Sequence, residues 1–260
     1  MDRPFYSVTF GDKNSWDEWN LMPVKAGKIE FATAEVKTEY VEVPGSDDSL
    51  DFTEILTGYP MYDSRKGSIK FRFFNNGVSA RSRFNNLKNY LHGRHMKAVI
   101  EDEPDYYYIG RFMVGDFEPK QGNWGDVEIS YVLNAYKLEI TNANEDWLWD
   151  PFNFETGVIR EYGEIQVKPT KTGTALTVIG SRKPTVPKFT VLRCSDDSHD
   201  IPAEAYVELV FSGSTYQLPY NKTTVIPQIV LMDNEYEMTF NTKGYDNCLS
   251  LSINLQGGSL

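Results

Sequence analysis

The sequence predicts a chain dominated by β-structure, with one long helix and two domains. Three observations carry that expectation. Apolar and polar residues alternate with a period of two in segment after segment. Turn-forming residues interrupt the last hundred positions at intervals of roughly 8–12 residues, the spacing of a β-sandwich. The length of 260 residues exceeds the roughly 100–200 of an ordinary domain. Aliphatic, aromatic, Met and Cys residues make up 40% of the chain, enough to build cores and to exclude wholesale disorder.

The elements follow in order. Lys28–Val43 reads KIEFATAEVKTEYVEV; Ile29, Phe31, Val36, Val41 and Val43 predict one or two strands with a break near Ala32–Ala34. A short helical turn is expected over Phe52–Leu56, stopped by Gly58. In Ser68–Phe74, Ile69, Phe71 and Phe73 alternate with Lys70 and Arg72, which predicts a half-buried strand with one wet face. Tyr106–Val114 and Asp126–Tyr136 follow the same logic, with a hairpin turn around Gln121–Gly125. Ser79 is placed to cap a helix over Ala80–His92, and Gly93 suits the left-handed position past its end. Phe84, Leu87 and Leu91 fall on one face of that helix. Trp147–Phe154 (WLWDPFNF) is aromatic and follows a polar stretch; it predicts a domain junction whose Trp147, Trp149, Phe152 and Phe154 pack between domains. The expected domains are 1–148 and 153–248.

Charge narrows the function. The net charge of −11 excludes a chain-wide electrostatic grip on nucleic acid, which needs a basic face, and an acidic membrane surface would repel the chain. No stretch approaches the ~20 apolar residues of a spanning helix. The opening residues Met1–Phe5 carry no apolar signal core, so export is not expected. Cys194 and Cys248 are too few for a disulfide framework; they are read as reduced thiols. Charge is also segregated. Ser64–Ala98 holds nine basic residues and no acidic one, whereas Val99–Glu128 holds eight acidic residues against Arg111 and Lys120. Either solvated strand and helix faces happen to be basic, or one copy presents Arg65, Arg72, Arg81 and Arg83 to Glu101, Asp102, Glu103 and Asp105 of its neighbour. Head-to-tail contacts of the second kind close into rings.

Catalytic signatures are absent. The chain has neither a P-loop nor a GxGxxG turn, and no HExxH. His92 and His95 sit at a helix end without thiolate or carboxylate company at metal-ligand spacing. Cys194 and His199 lack an orienting partner. Glu101, Asp102, Glu103 and Asp105 are neighbours on a loop rather than carboxyls opposed across a cleft. No enzyme, metal or cofactor is expected.

Several segments resemble a known family: Asn14-Ser15-Trp16-Asp17-Glu18-Trp19-Asn20-Leu21; Val43-Pro44-Gly45-Ser46-Asp47-Asp48-Ser49-Leu50-Asp51-Phe52-Thr53-Glu54-Ile55-Leu56-Thr57-Gly58; Leu91-His92-Gly93; Asp105–Arg111; and the closing Gly257-Gly258-Ser259-Leu260. They resemble the distal tail protein (Dit) family of siphophages that infect Gram-positive bacteria. The resemblance implies an N-terminal β-sandwich or barrel with one helix, related to tail-tube proteins, and a galectin-like C-terminal β-sandwich. It also implies a final strand, within 249–260, that rejoins the first domain. By the same resemblance the protein is a virion component of the tail tip, assembled in the host cytoplasm. It forms a homohexameric ring, or two stacked rings, that joins the tail tube to a tail-associated hub or lysin protein and to receptor-binding proteins, while DNA only passes through the channel. The alternative is a carbohydrate-binding adhesion module. Against it, Gly157–Leu260 has no Trp to stack on a sugar.

Overall fold

The computed structural model describes residues 5–25, 28–121, 124–140, 164–194, 201–242 and 248–260. It is an all-β protein in which the described strands fall into antiparallel sheets. Two compact units emerge, Met1–Ile140 with Leu260, and Thr141–Ser259. The junction residues Trp147, Trp149, Phe152 and Phe154 lie outside the described residues.

The first unit opens with β1 (Val8–Phe10), β2 (Lys13–Asn14), a one-turn helix α1 (Ser15–Trp19) and β3 (Leu21–Pro23). Asn14 caps α1, its side chain accepting from the Trp16 and Asp17 N–H groups, and Asn20 closes it at φ 50°. Asn14 followed by Asp17 and Glu18 is its start signal in the sequence, but five residues are too few to show periodicity. There follow β4 (Tyr40–Glu42), β5 (Ser49–Asp51), β6 (Arg65–Phe73), α2 (Ala80–Leu91), β7 (His95–Ile100), β8 (Tyr106–Lys120), β9 (Trp124–Leu133) and β10 (Lys137–Glu139). The main sheet runs β2-β1-β7-β8-β9-β6-β3, and β10 pairs with β8. Phe71, Phe73, Phe112, Val127 and Ile129 supply its core, against which Phe84, Leu87 and Leu91 of α2 pack. Gly93 takes φ 75°, as its place after the helix requires. The Ser79 side chain makes no capping hydrogen bond, although its carbonyl accepts from Arg83 N–H.

The strand expected over Lys28–Val43 is reduced to Tyr40–Glu42. Ile29 and Phe31 are buried as their alternation requires, yet no ladder forms there. Side chains satisfy the backbone instead: Ala32 N–H donates to the Tyr131 hydroxyl, and its carbonyl accepts from Arg65. Alternation reported burial, not pairing. Phe52–Leu56 likewise forms turns rather than a helix, with Ile55 N–H bonding Phe52 O and Gly58 N–H bonding Glu54 O. β8 runs past Val114 through an irregularity at Val114–Phe117.

The second unit is a β-sandwich. Its strands are β11 (Glu164–Val167), β12 (Thr174–Ile179), β13 (Lys188–Arg193), β14 (Tyr206–Phe211), β15 (Ser214–Pro219), β16 (Lys222–Val225), β17 (Glu235–Thr242) and β18 (Leu249–Asn254). One sheet is β11-β18-β13-β16, the other β12-β17-β14-β15. Phe189, Val191, Leu251 and Ile253 of the first share one core with Val207, Leu209, Met238 and Phe240 of the second. Residues Leu249–Asn254 therefore pair within this unit.

Candidate functional site

The most exposed apolar surface of the first unit is an arm spanning residues 35–63. Its base is closed by Lys37 N–H to Met61 O and Asp63 N–H to Glu35 O, with Lys37 and Asp63 paired at 3.7 Å. Beyond the base, β4 and β5 form an isolated hairpin, Val41 opposite Leu50. Every residue from Glu35 to Asp51 is exposed. So are Ile55 at 66% and Leu56 at 96%, together with Val36, Tyr40, Val41, Val43, Leu50 and Met61. A two-stranded hairpin with no core of its own is marginal in water. Monomeric soluble proteins rarely leave a contiguous apolar surface of this kind uncovered. The arm contains the Val43–Gly58 motif that the sequence had singled out, and exposure is what composition alone could not reveal.

A second apolar feature lies at the other end of β6. Phe5, Trp16, Phe74 and Trp124 form a chain of ring contacts with centroids 5.1, 5.8 and 5.3 Å apart. Phe74 is 40% exposed, and the other three are half-buried. The arm joins β6 at its Arg65 end, whereas the aromatic chain follows Phe73. Nine residues of strand separate them by about 27 Å. Trp19 and Tyr108, by contrast, are core residues.

The charged residues singled out from sequence are largely engaged inside the protomer. Arg65 is 4% exposed; it donates to Ala135 O at 2.8 Å and Ala32 O at 3.0 Å. Arg83, also 4% exposed, donates to the carbonyls of Trp19 at 2.9 Å, Phe74 at 2.8 Å and Val78 at 3.3 Å. Arg72 grips Asp126 with two hydrogen bonds of 2.7 and 3.0 Å, which hold that carboxyl below its ordinary range. Lys70 pairs with Glu118 at 2.7 Å, and Ser68 bonds Glu128. The register of β6 against β9, Lys70 opposite Glu128 and Arg72 opposite Asp126, places the basic run beside the acidic one. Glu101 accepts from Ser7 N–H and Oγ at 2.8 and 2.7 Å. Asp105 is buried, whereas Asp102 is exposed. Arg81 is exposed, its guanidinium lying 5.1 Å from the Phe117 ring centroid.

Glu103 is the acid-sensitive member. Burial pushes its carboxyl up, but hydrogen bonds from Lys137 at 2.9 Å and Tyr108 at 2.8 Å, with the Lys137 and Arg65 charges, bring it below its ordinary 4.5. A lowered folded pKa means stability that is present above pH ~4.5 and lost as pH falls through the folded value. Urea denaturation across pH 3–6 should therefore show a decline that Glu103→Gln flattens; an equal decline in the variant would assign it to other carboxylates, Asp126 first.

Among the described residues no group of three His, Cys, Asp or Glu side chains is placed to hold a metal. His92 Nδ1 instead meets the Val114 backbone at about 3 Å. His199 lies outside the described residues.

Fold and surfaces together define a two-unit all-β protein whose conspicuous feature is an exposed apolar arm. No protein-family model matches the chain, and no curated protein sequence does. Among solved structures, its fold is similar to that of SPP1 Dit (gp 19.1), presented as a paradigm of the hub adsorption apparatus in Gram-positive infecting phages. The TM-score is 0.62 at 12% identity, over 98% of this chain and 99% of that one. At that identity the likeness is one of fold.

Proposed function

We propose that this chain is a structural hub protein of a phage tail tip, whose copies close head to tail into a ring without catalysing a reaction. The arm carries the reading. A ring subunit needs two different, mutually complementary surfaces. We read the exposed apolar arm at one end of β6 and the half-buried aromatic chain at the other, with Phe74 40% exposed, as such a pair. Tyr and Trp supply much of the binding energy at protein interfaces. The fold likeness to a hub protein and the motifs resembling the distal tail family support the same role. By that resemblance the ring has six members. It connects a tail tube on one side to a hub or lysin protein and receptor-binding proteins on the other. The acidic chain suits a channel that DNA passes through without binding.

The reading places the protein in the virion. Antibodies against it should label one end of tail tubes purified from infected cells, at the tip distal to the capsid. Tails that carry every other component but lack this polypeptide at the tip would refute it.

An adhesion module is the second reading. It is favoured by an open groove on the second unit lined by Phe211, Gln228, Tyr236, Glu237 and Thr239. The hub reading expects a glycan array to stay blank with the full chain; a saccharide signal abolished by Tyr236→Ala would transfer the function to adhesion.

A further inference from the structure

We infer that Cys194 and Cys248 form a covalent modification site: an intramolecular, cross-strand disulfide made by exchange with a low-molecular-weight disulfide. In the structure both are thiols, and both are half-buried. The antiparallel register of β13 and β18 pairs Leu192 with Ser250 and Arg193 with Leu249. Continued by one residue, it sets Cys194 opposite Cys248, and the Cys194 N–H donates to the Cys248 carbonyl at 2.9 Å. Residues directly opposite in an antiparallel ladder project to the same face. Here that face is the outer one, shared with Leu192, which is 46% exposed, rather than the core face of Val191 and Leu251.

Ladder geometry puts the Cα atoms of such a hydrogen-bonded pair about 5.5 Å apart, inside the roughly 4.4–6.8 Å that a disulfide spans. Side chains diverge slightly more at these sites than at non-hydrogen-bonded ones, so the bridge is a reducible one. The exchange proceeds in two steps. One cysteine thiolate attacks a sulfur of the external disulfide, whose S–S bond breaks and releases one thiolate to take a proton. The second cysteine then attacks the protein sulfur of the mixed disulfide and expels the other small thiol. Two protein thiols are oxidised and one external disulfide is reduced. A protein assembled in a reducing cytosol keeps the thiols; in an oxidising medium the bridge ties together two strands remote in sequence.

The test treats the full chain with oxidised glutathione at low protein concentration, followed by intact-mass measurement and non-reducing peptide mapping. The expected product has lost two hydrogen atoms, carries no glutathione, and yields one cross-linked peptide pair containing Cys194 and Cys248. Its melting temperature exceeds that of the reduced protein. Cys194→Ser and Cys248→Ser each retain a single glutathione on the remaining cysteine. Wild-type protein that keeps both thiols, carries two glutathiones, or cross-links between copies would overturn the assignment.

Discussion

Replacing Leu50, Ile55 and Leu56 together by glutamate should leave the protein folded and abolish its assembly. All three side chains are solvent-exposed in the single chain, Leu50 at 53%, Ile55 at 66% and Leu56 at 96%, and none belongs to a core cluster, so the folded protomer loses little packing when they change. In an assembled ring each would be buried, at about 1.5–3 kcal/mol per large aliphatic side chain. Three losses amount to on the order of 5 kcal/mol or more per contact, before the cost of burying the new charges. Each 1.4 kcal/mol is about a factor of ten in affinity, so association should weaken roughly a thousandfold or more. Sedimentation velocity with a parallel thermal melt reads both quantities. A fall in melting temperature with unchanged oligomer size would place the arm's role inside the protomer. The acceptor is tested on the other side: Phe74→Glu should weaken association while leaving Phe71 and Phe73 packed.

Arg83→Ala should unfold the first unit, and Arg81→Ala should not. The two arginines are two positions apart on α2 and looked alike as members of a basic run. The Arg83 guanidinium is buried against the carbonyls that end α1, follow β6 and precede α2. Removing it strands one buried acceptor, the Trp19 carbonyl, at about 1–3 kcal/mol for an unsatisfied group, and takes a charged donor from two part-buried ones. A loss of about 3–5 kcal/mol would be a large part of a domain's margin. Arg81 is exposed beside Phe117, where truncation costs little. Urea denaturation of the two variants separates them; equal stabilities would mean that the Arg83 contacts are dispensable. Charge reversal at Arg83 is accordingly no test of assembly, because it acts on folding first.

That contrast shows what was legible in the sequence. Helix α2, its glycine stop and the strands around Phe71, Phe112 and Ile129 followed from periodicity, because each buries one face against a continuous core. Lys28–Val43 misled because Ile29 and Phe31 alternate into the core while side chains, not a neighbouring strand, take up the backbone hydrogen bonds of Ala32. Charge segregation was visible, but its partner was not. A basic strand followed by an acidic one reads the same whether they meet within one chain or between two, and only the β6–β9 register puts Arg72 on Asp126. The arm was legible as a distinctive motif and illegible as a surface, since exposure depends on the absence of neighbours. The cysteine pairing also waited on register: residues 194 and 248 have no local pattern connecting them.

Native mass spectrometry of the purified full chain measures the central claim most directly. Self-association through the arm predicts one closed species of several protomers, six by the family resemblance, that collapses to monomer in the Leu50, Ile55 and Leu56 triple variant. A wild-type chain that remains monomeric at the highest attainable concentration, with its arm intact, would contradict it.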